Sequence, residues 1–458
     1  MTLKKLLQRI ANCILLLLCC NSFILFNIFD SPVAVKVCAI VVLLVFYVGF
    51  NIYPYGRGKR SDRLRLRVLI GGRECILTAM ACLLVEIAGF AVVFALVYKS
   101  YYGFEIILPV YLVLSINAVV FLILLGIVVI NGFVRIFAAS RQADISTKLL
   151  LFFFWWMPVL NAIWLKKLCS SAINEYTFAS KKMDTNESRR HQEVCKTKYP
   201  LLLVHGIFFR DWKNFNYWGR IPKELEANGA ACYYGNQESS APVEECGAQL
   251  AECIKGIVSE TGCEKLNIIA HSKGGLDSRY AISCLGAAEY VASLTTVCTP
   301  HYGCNSVRKI LKAVPGKALQ YIKKNYETLF TVLGDDSPDF MGGLANLTDT
   351  ECAALNQRMP NDPGVYYQSV GSKMGSHKSA VFPLSLGYRM IKSSEGDNDG
   401  LVAVVSMEWG NFLGIVAPPG KQGISHGDMI DLTRKDIKGF DVCEFYVDLV
   451  SQLKDRGL

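Results

Sequence analysis

Residues 263–276, Cys-Glu-Lys-Leu-Asn-Ile-Ile-Ala-His-Ser-Lys-Gly-Gly-Leu, constrain the fold more than any other stretch of the chain. The apolar run Leu266–Ala270 is typical of a buried parallel strand, and helix-compatible residues follow the glycines. A strand that turns sharply into a helix at a serine, here Ser272, predicts a nucleophile elbow. Small residues must flank such a serine because the two backbones approach closely, and Ala270 and Gly274 occupy those positions. The alternative is an ordinary strand-to-helix turn of another α/β fold.

The chain from Tyr199 onward alternates between strand-like and helix-like stretches. Such alternation predicts a mostly parallel sheet with helices on both faces. Besides 266–270, the predicted strands are 201–204, 231–234, 292–299 and 365–370, and the predicted helices are 221–228, 243–260, 276–285 and 441–453.

Residues 1–165 have a different composition and predict an all-α transmembrane region. Four apolar stretches, at about 10–29, 33–55, 75–98 and 105–131, reach the roughly 20 residues that a bilayer requires. A fifth, 149–165, is shorter, is rich in aromatic residues and contains Pro158, so it predicts either a span or an interfacial segment. We therefore expect four or five spans, and Glu86 in the third is a candidate functional acid or a helix–helix hydrogen-bonding group.

Basic residues flank these apolar stretches. Residues 1–198 carry 23 Lys and Arg against 10 Asp and Glu, whereas the remainder carries 25 against 29. This distribution indicates membrane-flanking charge and does not favour nucleic-acid binding. The polar stretch 166–198 is interpreted as a basic linker to a hydrolase domain at 199–458.

The side of the membrane depends on the fifth stretch, because four spans leave the hydrolase domain inside the cell and five place it outside. The N-terminus and the loop 57–67 are rich in Lys and Arg, so both are predicted to lie on the cytoplasmic side. Ten cysteines follow residue 194 without a metal-binding or redox spacing. They are either buried thiols in a reducing compartment or disulfides outside it, and the first interpretation favours the cytoplasmic side.

A nucleophilic serine needs a base, and the base needs an orienting acid. In the elbow fold these follow in the order serine, acid, histidine. Of the six histidines, order and position leave His377 and His426, and the loop acid Asp399 precedes only His426. The predicted catalytic residues are therefore Ser272, Asp399 and His426, with Asp397 as the reserve acid and Glu395 after it.

The anionic intermediate of acyl transfer needs two fixed amides. We predict that these are the amide of Lys273, directly after the nucleophile, and the amide of Ile207, after the strand that ends at His205-Gly206.

Several motifs now resemble the bacterial triacylglycerol lipases of the α/β-hydrolase superfamily over 199–458. They are Tyr199-Pro-Leu-Leu-Leu-Val-His-Gly-Ile207, Ala270-His-Ser-Lys-Gly-Gly-Leu-Asp-Ser-Arg-Tyr280, Thr299-Pro-His-Tyr-Gly303, Leu347-Thr-Asp-Thr-Glu-Cys-Ala-Ala-Leu-Asn356, Asn398-Asp-Gly-Leu-Val402 and Ser425-His-Gly-Asp428. The resemblance implies an α/β-hydrolase fold, carboxylic ester hydrolysis through an acyl-serine, no obligatory cofactor, and a mobile lid within about 304–345. It also implies a possible calcium ligand at Asp428, although no second side-chain ligand is evident.

The predicted lid contains apolar residues at near-helical spacing with basic residues between them, broken at Pro315-Gly316. Such a pattern predicts contact with an anionic lipid surface or, alternatively, ordinary cap helices packed on the core. The expected function is that of a membrane-anchored serine lipase or esterase whose partners are a lipid ester and the membrane. A phospholipase or acyltransferase, and a membrane interaction protein with a degenerate hydrolase domain, are the alternatives.

Overall fold

A computed structural model describes the chain except for residues 1–2, 29–30, 56–62, 100–103, 143–144, 155–156, 208–215, 239, 314–315, 333–337 and 419. The chain divides into two compact units, residues 1–185 and residues 186–458. Parts of the predicted 57–67 loop, the aromatic residues 155–156 and the predicted lid break at Pro315 lie outside the described residues.

The N-terminal unit is helical. Its helices are α1 (Leu3–Cys20), α2 (Ser22–Ile28), α3 (Val33–Ile52), α4 (Leu64–Lys99), α5 (Phe104–Ala139), α6 (Ile145–Phe153) and α7 (Pro158–Arg189). Among the described residues, three segments are long and apolar enough to cross a membrane, namely Val33–Ile52, Leu64–Val93 and Tyr111–Ala139. They correspond to the second, third and fourth apolar stretches of the sequence.

The first and fifth predicted apolar stretches are each divided between two helices. The first is interrupted at Asn21 between α1 and α2, and α1 carries basic residues in its first turns. The fifth is divided between α6 and α7, and α7 begins at Pro158, where proline is well tolerated because a first-turn amide needs no helical partner. The interval 166–198, predicted as a linker, is helical as far as Arg189.

Glu86 has a specific partner within the N-terminal unit. Its Oε2 accepts a hydrogen bond of 2.8 Å from Asn21 Nδ2, and Asn117 Nδ2 donates to Asn21 Oδ1 at 2.6 Å. These bonds join α4 and α5 to the turn between α1 and α2. Glu86 therefore serves as a helix–helix hydrogen-bonding group, the structural alternative for an acid in an apolar helix.

The second unit contains a six-stranded parallel sheet in the order β2-β1-β3-β4-β5-β6. The strands are β1 (Leu201–Val204), β2 (Cys232–Tyr234), β3 (Leu266–His271), β4 (Val291–Val297), β5 (Tyr366–Ser372) and β6 (Asn411–Val416). The four central strands are almost entirely buried, as a sheet covered on both sides requires. β1 is apolar throughout, whereas β4 and β5 also bury polar side chains, among which Gln368 pairs with Thr295 at 2.9 Å.

The helices of this unit are α8 (Ile221–Ala227), α9 (Val243–Thr261), α10 (Gly274–Cys284), α11 (Asn305–Ala313), α12 (Gly316–Val332), α13 (Phe340–Ala345), α14 (Asp349–Arg358), α15 (Leu384–Ser394) and α16 (Val442–Asp455). Helices cover both faces of the sheet, α8 and α16 on one face and α9 and α10 on the other. One buried cluster includes Trp218 and Tyr446, and another includes Leu250 and Ile268. The predicted α/β-hydrolase fold, preceded by a helical region, is confirmed.

The first residues of α10 lie very close to the segments that follow β1 and β4. A Cβ atom added to Gly274 would lie 2.2 Å from the carbonyl oxygen of His205, and one added to Gly275 would lie 2.2 Å from Thr299 Oγ1. Both distances are far below van der Waals contact. The sequence pattern of two glycines after Ser272 and Lys273 is therefore a packing requirement of the sheet.

We expect Gly274→Ala to lower the free energy of unfolding of the second unit by several kcal/mol, because the backbone of His205 must move to admit the methyl group. Gly256→Ala is the matched control: it lies inside α9, no atom lies within 4 Å of its added Cβ, and alanine favours the helix by about 1 kcal/mol. Thermal unfolding of the two variants measures the difference. An equal melting temperature for both would contradict the packing requirement.

Candidate active site

Ser272 lies at the junction of β3 and α10, at the carboxyl end of the central strand. Its φ of 55° lies in the left-handed region, an unfavourable backbone conformation for a residue with a side chain. The tight turn fits between Gly206 and the helix, since a Cβ on Gly206 would lie 2.8 Å from Ser272 Cβ. These are the features of a nucleophile elbow.

Asp399 and His426 come together at the same edge of the sheet. His426 Nδ1 and Asp399 Oδ2 are 2.7 Å apart, and the His426 amide donates to the Asp399 carbonyl at 2.9 Å. Asp399 is fully buried, and its Oδ1 accepts the amides of Leu401 and Val402 at 3.0 and 2.8 Å. The carboxylate is thus fixed in place, and one ring nitrogen of His426 is committed to it.

The acid–histidine pair lies beside the serine turn. The His426 ring packs on the ring of His271, the residue before Ser272, with a centroid separation of 4.4 Å. Because His426 Nδ1 faces Asp399, its Nε2 is the nitrogen left for a reacting group.

The two reserve acids lie elsewhere. Asp397 is paired with Lys373 at 2.9 Å and Lys392 at 2.5 Å, and these lysine hydrogen bonds lower its pKa to about 2. Glu395 accepts the amide of Ser306 at 2.9 Å, at the N-terminus of α11. Both carboxylates therefore have structural partners of their own, and neither is paired with a histidine.

The two amides predicted to form an oxyanion hole lie next to the serine turn. Neither the Ile207 amide nor the Lys273 amide donates to a backbone carbonyl among the described residues. The Lys273 side chain points into the core, where Nζ pairs with Asp277 Oδ1 at 2.6 Å and lies 3.3 Å from Cys246 Sγ. This buried pair anchors the first turn of α10.

Two residues around the serine turn, Tyr217 and Cys298, were not singled out from the sequence. Tyr217 Oη lies 2.7 Å from His271 Nδ1, and Cys298, which directly follows β4, is fully buried with its thiol 3.3 Å from Ser372 Oγ. Burial lowers the pKa of His271 well below its ordinary value, and the neighbouring His426 acts in the same direction. Burial also raises the pKa of the Cys298 thiol. Only spatial proximity, absent from the sequence, connects Tyr217 and Cys298 with the serine turn.

Asp428 does not fit the calcium site that the resemblance implies. Its Oδ2 accepts both the amide and the hydroxyl of Ser425, at 2.9 and 2.6 Å, which closes the turn that carries His426. The nearby Asp431 is held by Arg220 through contacts of 2.8 Å. Among the described residues no cluster of acidic groups around Asp428 offers the several oxygen ligands that calcium requires.

The predicted lid region contains three helices, α11, α12 and α13. Val307 and Leu311 in α11 are half-buried, and Tyr321 in α12 is 72% exposed. The side chains of the other apolar residues predicted to recur there lie outside the described residues, namely Ile310, Val314, Leu319, Ile322, Leu329, Phe330 and Leu333.

A second surface near the site is fully described. Val381 and Phe382, just before α15, are 77% and 76% exposed, and the exposed Leu386 and Met390 lie four residues apart within α15. We call these four residues the α15 patch. Residues 373–394 include four Lys and Arg and no Asp or Glu. On the inner side of α15, Leu384 packs near Gly400 and Gly427, the residues that follow Asp399 and His426.

Comparisons with known proteins agree with this geometry. A family described as "Putative serine esterase (DUF676)" matches residues 203–336. A triacylglycerol lipase of Pseudarthrobacter phenanthrenivorans is 34% identical over 178 residues, which are 36% of this chain and 55% of the relative. A triacylglycerol lipase of Pseudomonas fragi is 26% identical over 305 residues, 58% of this chain and 99% of the relative.

The chain thus spans only about half the length of the first of these relatives. Among solved structures, a lipase of Bacillus licheniformis in its mature form is similar, with a TM-score of 0.41 and 22% identity over 56% of this chain and 92% of that chain.

Proposed function

We propose, on the premise that residues 199–458 form a lipase-type domain of the α/β-hydrolase superfamily, that this chain hydrolyses carboxylic esters of lipids through an acyl-serine intermediate. The observation that carries the proposal is the convergence of a strained serine turn with a buried acid–histidine pair at one edge of the sheet. The lipase relatives and the serine esterase family support the same reaction class.

In the proposed reaction, His426 Nε2 accepts the proton of the Ser272 hydroxyl as its oxygen attacks the ester carbonyl. Asp399 holds the His426 ring in the required tautomer and stabilises the imidazolium that forms. The amides of Ile207 and Lys273 donate to the oxyanion. His426 then protonates the departing alcohol, and a water molecule activated by the same nitrogen releases the acyl group from Ser272.

We expect a fluorophosphonate probe to label the full-length protein in membranes, and Ser272→Ala to abolish both labelling and turnover because the attacking oxygen is lost. Asp399→Asn should lower the turnover rate on the order of 10⁴-fold, since the amide no longer fixes the tautomer of His426.

Asp397→Asn is the matched control, because it makes the same chemical change two residues away in a carboxylate that is paired with lysines. It should retain nearly all activity. Absence of Ser272-dependent labelling would favour a degenerate hydrolase domain, and a larger loss in Asp397→Asn than in Asp399→Asn would contradict the assigned acid.

We further propose that the substrate is a long-chain ester presented by a lipid surface. The α15 patch exposes large apolar side chains within a segment whose charged residues are all basic, a combination that suits an anionic lipid surface. Helix α15 packs beside the loops that carry Asp399 and His426, so binding of the α15 patch to a lipid surface would bring the entrance of the active site to the lipid. The basic helices α11 and α12 would act as the lid.

We expect the reconstituted protein to hydrolyse long-chain glycerides in vesicles faster than a short-chain soluble ester. Phe382→Asp should lower the rate on the vesicle substrate roughly tenfold, because a Phe side chain inserted into lipid contributes about 1.5–3 kcal/mol to binding. It should leave the rate on the soluble ester unchanged. Phe382→Leu, which keeps an apolar side chain, is the control. Equal losses on both substrates, or no preference for the vesicle substrate, would contradict lipid contact at this patch. Phospholipid vesicles assayed in parallel distinguish a phospholipase.

We propose finally that the apolar helices anchor the chain in a membrane with the hydrolase domain on the cytoplasmic side. The absence of disulfides among the ten cysteines of the described part of 195–458 supports a reducing compartment. Protease treatment of intact cells should leave residues beyond 199 uncleaved, whereas permeabilised cells should show cleavage. Cleavage in intact cells would place the domain on the outer side.

A further inference from the structure

The segment after β2 places a buried glutamine against the two turns that carry the predicted oxyanion-hole amides. Gln237 is 1% exposed and follows β2 after a sharp turn at Asn236, whose φ is 51°. One of the two amides belongs to Ile207, two residues after His205, and the other belongs to Lys273. Gln237 lies outside the motifs that carry the catalytic residues, yet it contacts both turns.

Gln237 is joined to the end of β1 by two hydrogen bonds. Its Nε2 donates to the backbone carbonyl of His205 at 3.0 Å, and the backbone carbonyl oxygen of Gln237 lies 2.9 Å from His205 Nε2. The other ring nitrogen of His205 lies 2.9 Å from the carbonyl oxygen of Gly206. The backbone that directly precedes the Ile207 amide is therefore held by Gln237 and by the buried ring of His205.

The same glutamine side chain faces the charged pair in the first turn of α10. Lys273 Nζ and Asp277 Oδ1 are 2.6 Å apart, and both side chains are almost completely buried. Burial raises the pKa of Asp277, whereas Lys273 and a hydrogen bond from the Gln237 side chain act in the opposite direction. Because a side-chain amide nitrogen carries two hydrogens, Gln237 Nε2 can donate to the His205 carbonyl and to the Asp277 carboxylate together.

The backbone of the sheet does not make this connection. The ladder between β1 and β3 ends at the pair Val204 and Ala270, before either oxyanion-hole amide is reached. The distance between the two amides therefore depends on contacts beyond the ends of the strands. The Gln237 side chain supplies one of them, because it joins the backbone before Ile207 to the residue that holds the Lys273 side chain.

We propose that Gln237 is a positioning residue of the oxyanion hole, joining the turn that carries the Ile207 amide to the turn that carries the Lys273 amide. An oxyanion hole is effective because its donors are fixed before charge develops on the substrate oxygen. Loss of the glutamine amide leaves two buried acceptors without this donor, and they recover hydrogen bonds only by moving, which separates the two turns. The inference rests on the proposed acyl-serine reaction.

The test measures the full-length protein in detergent on a short-chain soluble ester, so that lipid contact does not enter the rate. Rates are normalised to the sites that a fluorophosphonate probe labels. We expect Gln237→Met to lower kcat roughly ten- to hundredfold with KM nearly unchanged. The reason is that donors to the oxyanion act in the transition state, where direct removal of one costs about 10²–10³-fold in kcat.

Gln368→Met is the matched control. Gln368 is 2% exposed and donates to Thr295 at 2.9 Å, so the same substitution removes a buried hydrogen bond between β4 and β5, away from both turns. It should keep the wild-type kcat. An equal loss of kcat in the two variants, or a wild-type kcat in Gln237→Met, would overturn the proposal.

A trifluoromethyl ketone separates positioning from a general loss of stability. The Ser272 oxygen bonds to its carbonyl carbon, the hydroxyl proton passes to His426, and the former carbonyl oxygen becomes the oxyanion that the two amides hold. The inhibition constant should rise in Gln237→Met by the same factor by which kcat/KM falls. A lower melting temperature with an unchanged inhibition constant would reject the positioning role.

Gln237→Glu is the second variant, for the case that Gln237→Met does not fold. It keeps the volume of the side chain and should also lose kcat, since a carboxylate donates no hydrogen bond and its protonated form replaces only one of the two. Ser272-dependent hydrolysis at the wild-type rate in this variant would reject the inference and leave the proposed function intact. Absence of Ser272-dependent hydrolysis in the wild type would overturn both.

Discussion

The close approach of α10 to the end of β1 is the constraint on which the rest of the site depends. Only a hydrogen atom at Gly274 fits against the His205 carbonyl, and this contact holds the serine turn between two strand ends. The serine turn forces Ser272 into a left-handed backbone conformation, which residues with a side chain rarely adopt. The strain persists because the buried strands β1, β3 and β4 and the Lys273–Asp277 pair fix both ends of the turn.

The acid and base are held by a different device, the backbone of their own loops. Asp399 accepts two amides from the residues that follow it, and Asp428 accepts the amide and hydroxyl of Ser425 just before His426. Each carboxylate thus closes its own loop, and the two loops meet through the His426 amide. An acid two residues after the histidine therefore has a structural role in this chain that needs no metal ion.

Much of the hydrolase fold could be predicted because β1 and β3 contain short apolar runs that end at distinctive turns, at His205-Gly206 and at Ser272. The strand β6 was missed: its apolar residues Phe412, Leu413, Ile415 and Val416 are interrupted by Gly414, and none of them is fully buried. The order of motifs along the chain is enough to predict Asp399 and His426. Cys298 and Tyr217 belong to no such motif, and they come next to the site only when the chain folds. The division of the first apolar stretch at Asn21 was also missed, because hydropathy does not register one polar residue in a long run.

The position of α15 connects lipid contact with the proposed chemistry. One face of this helix is exposed and apolar, while the other places Leu384 beside the glycines that follow the acid and the histidine. An ester entering from a lipid surface at this face would meet the loops that carry Asp399 and His426 without crossing the sheet.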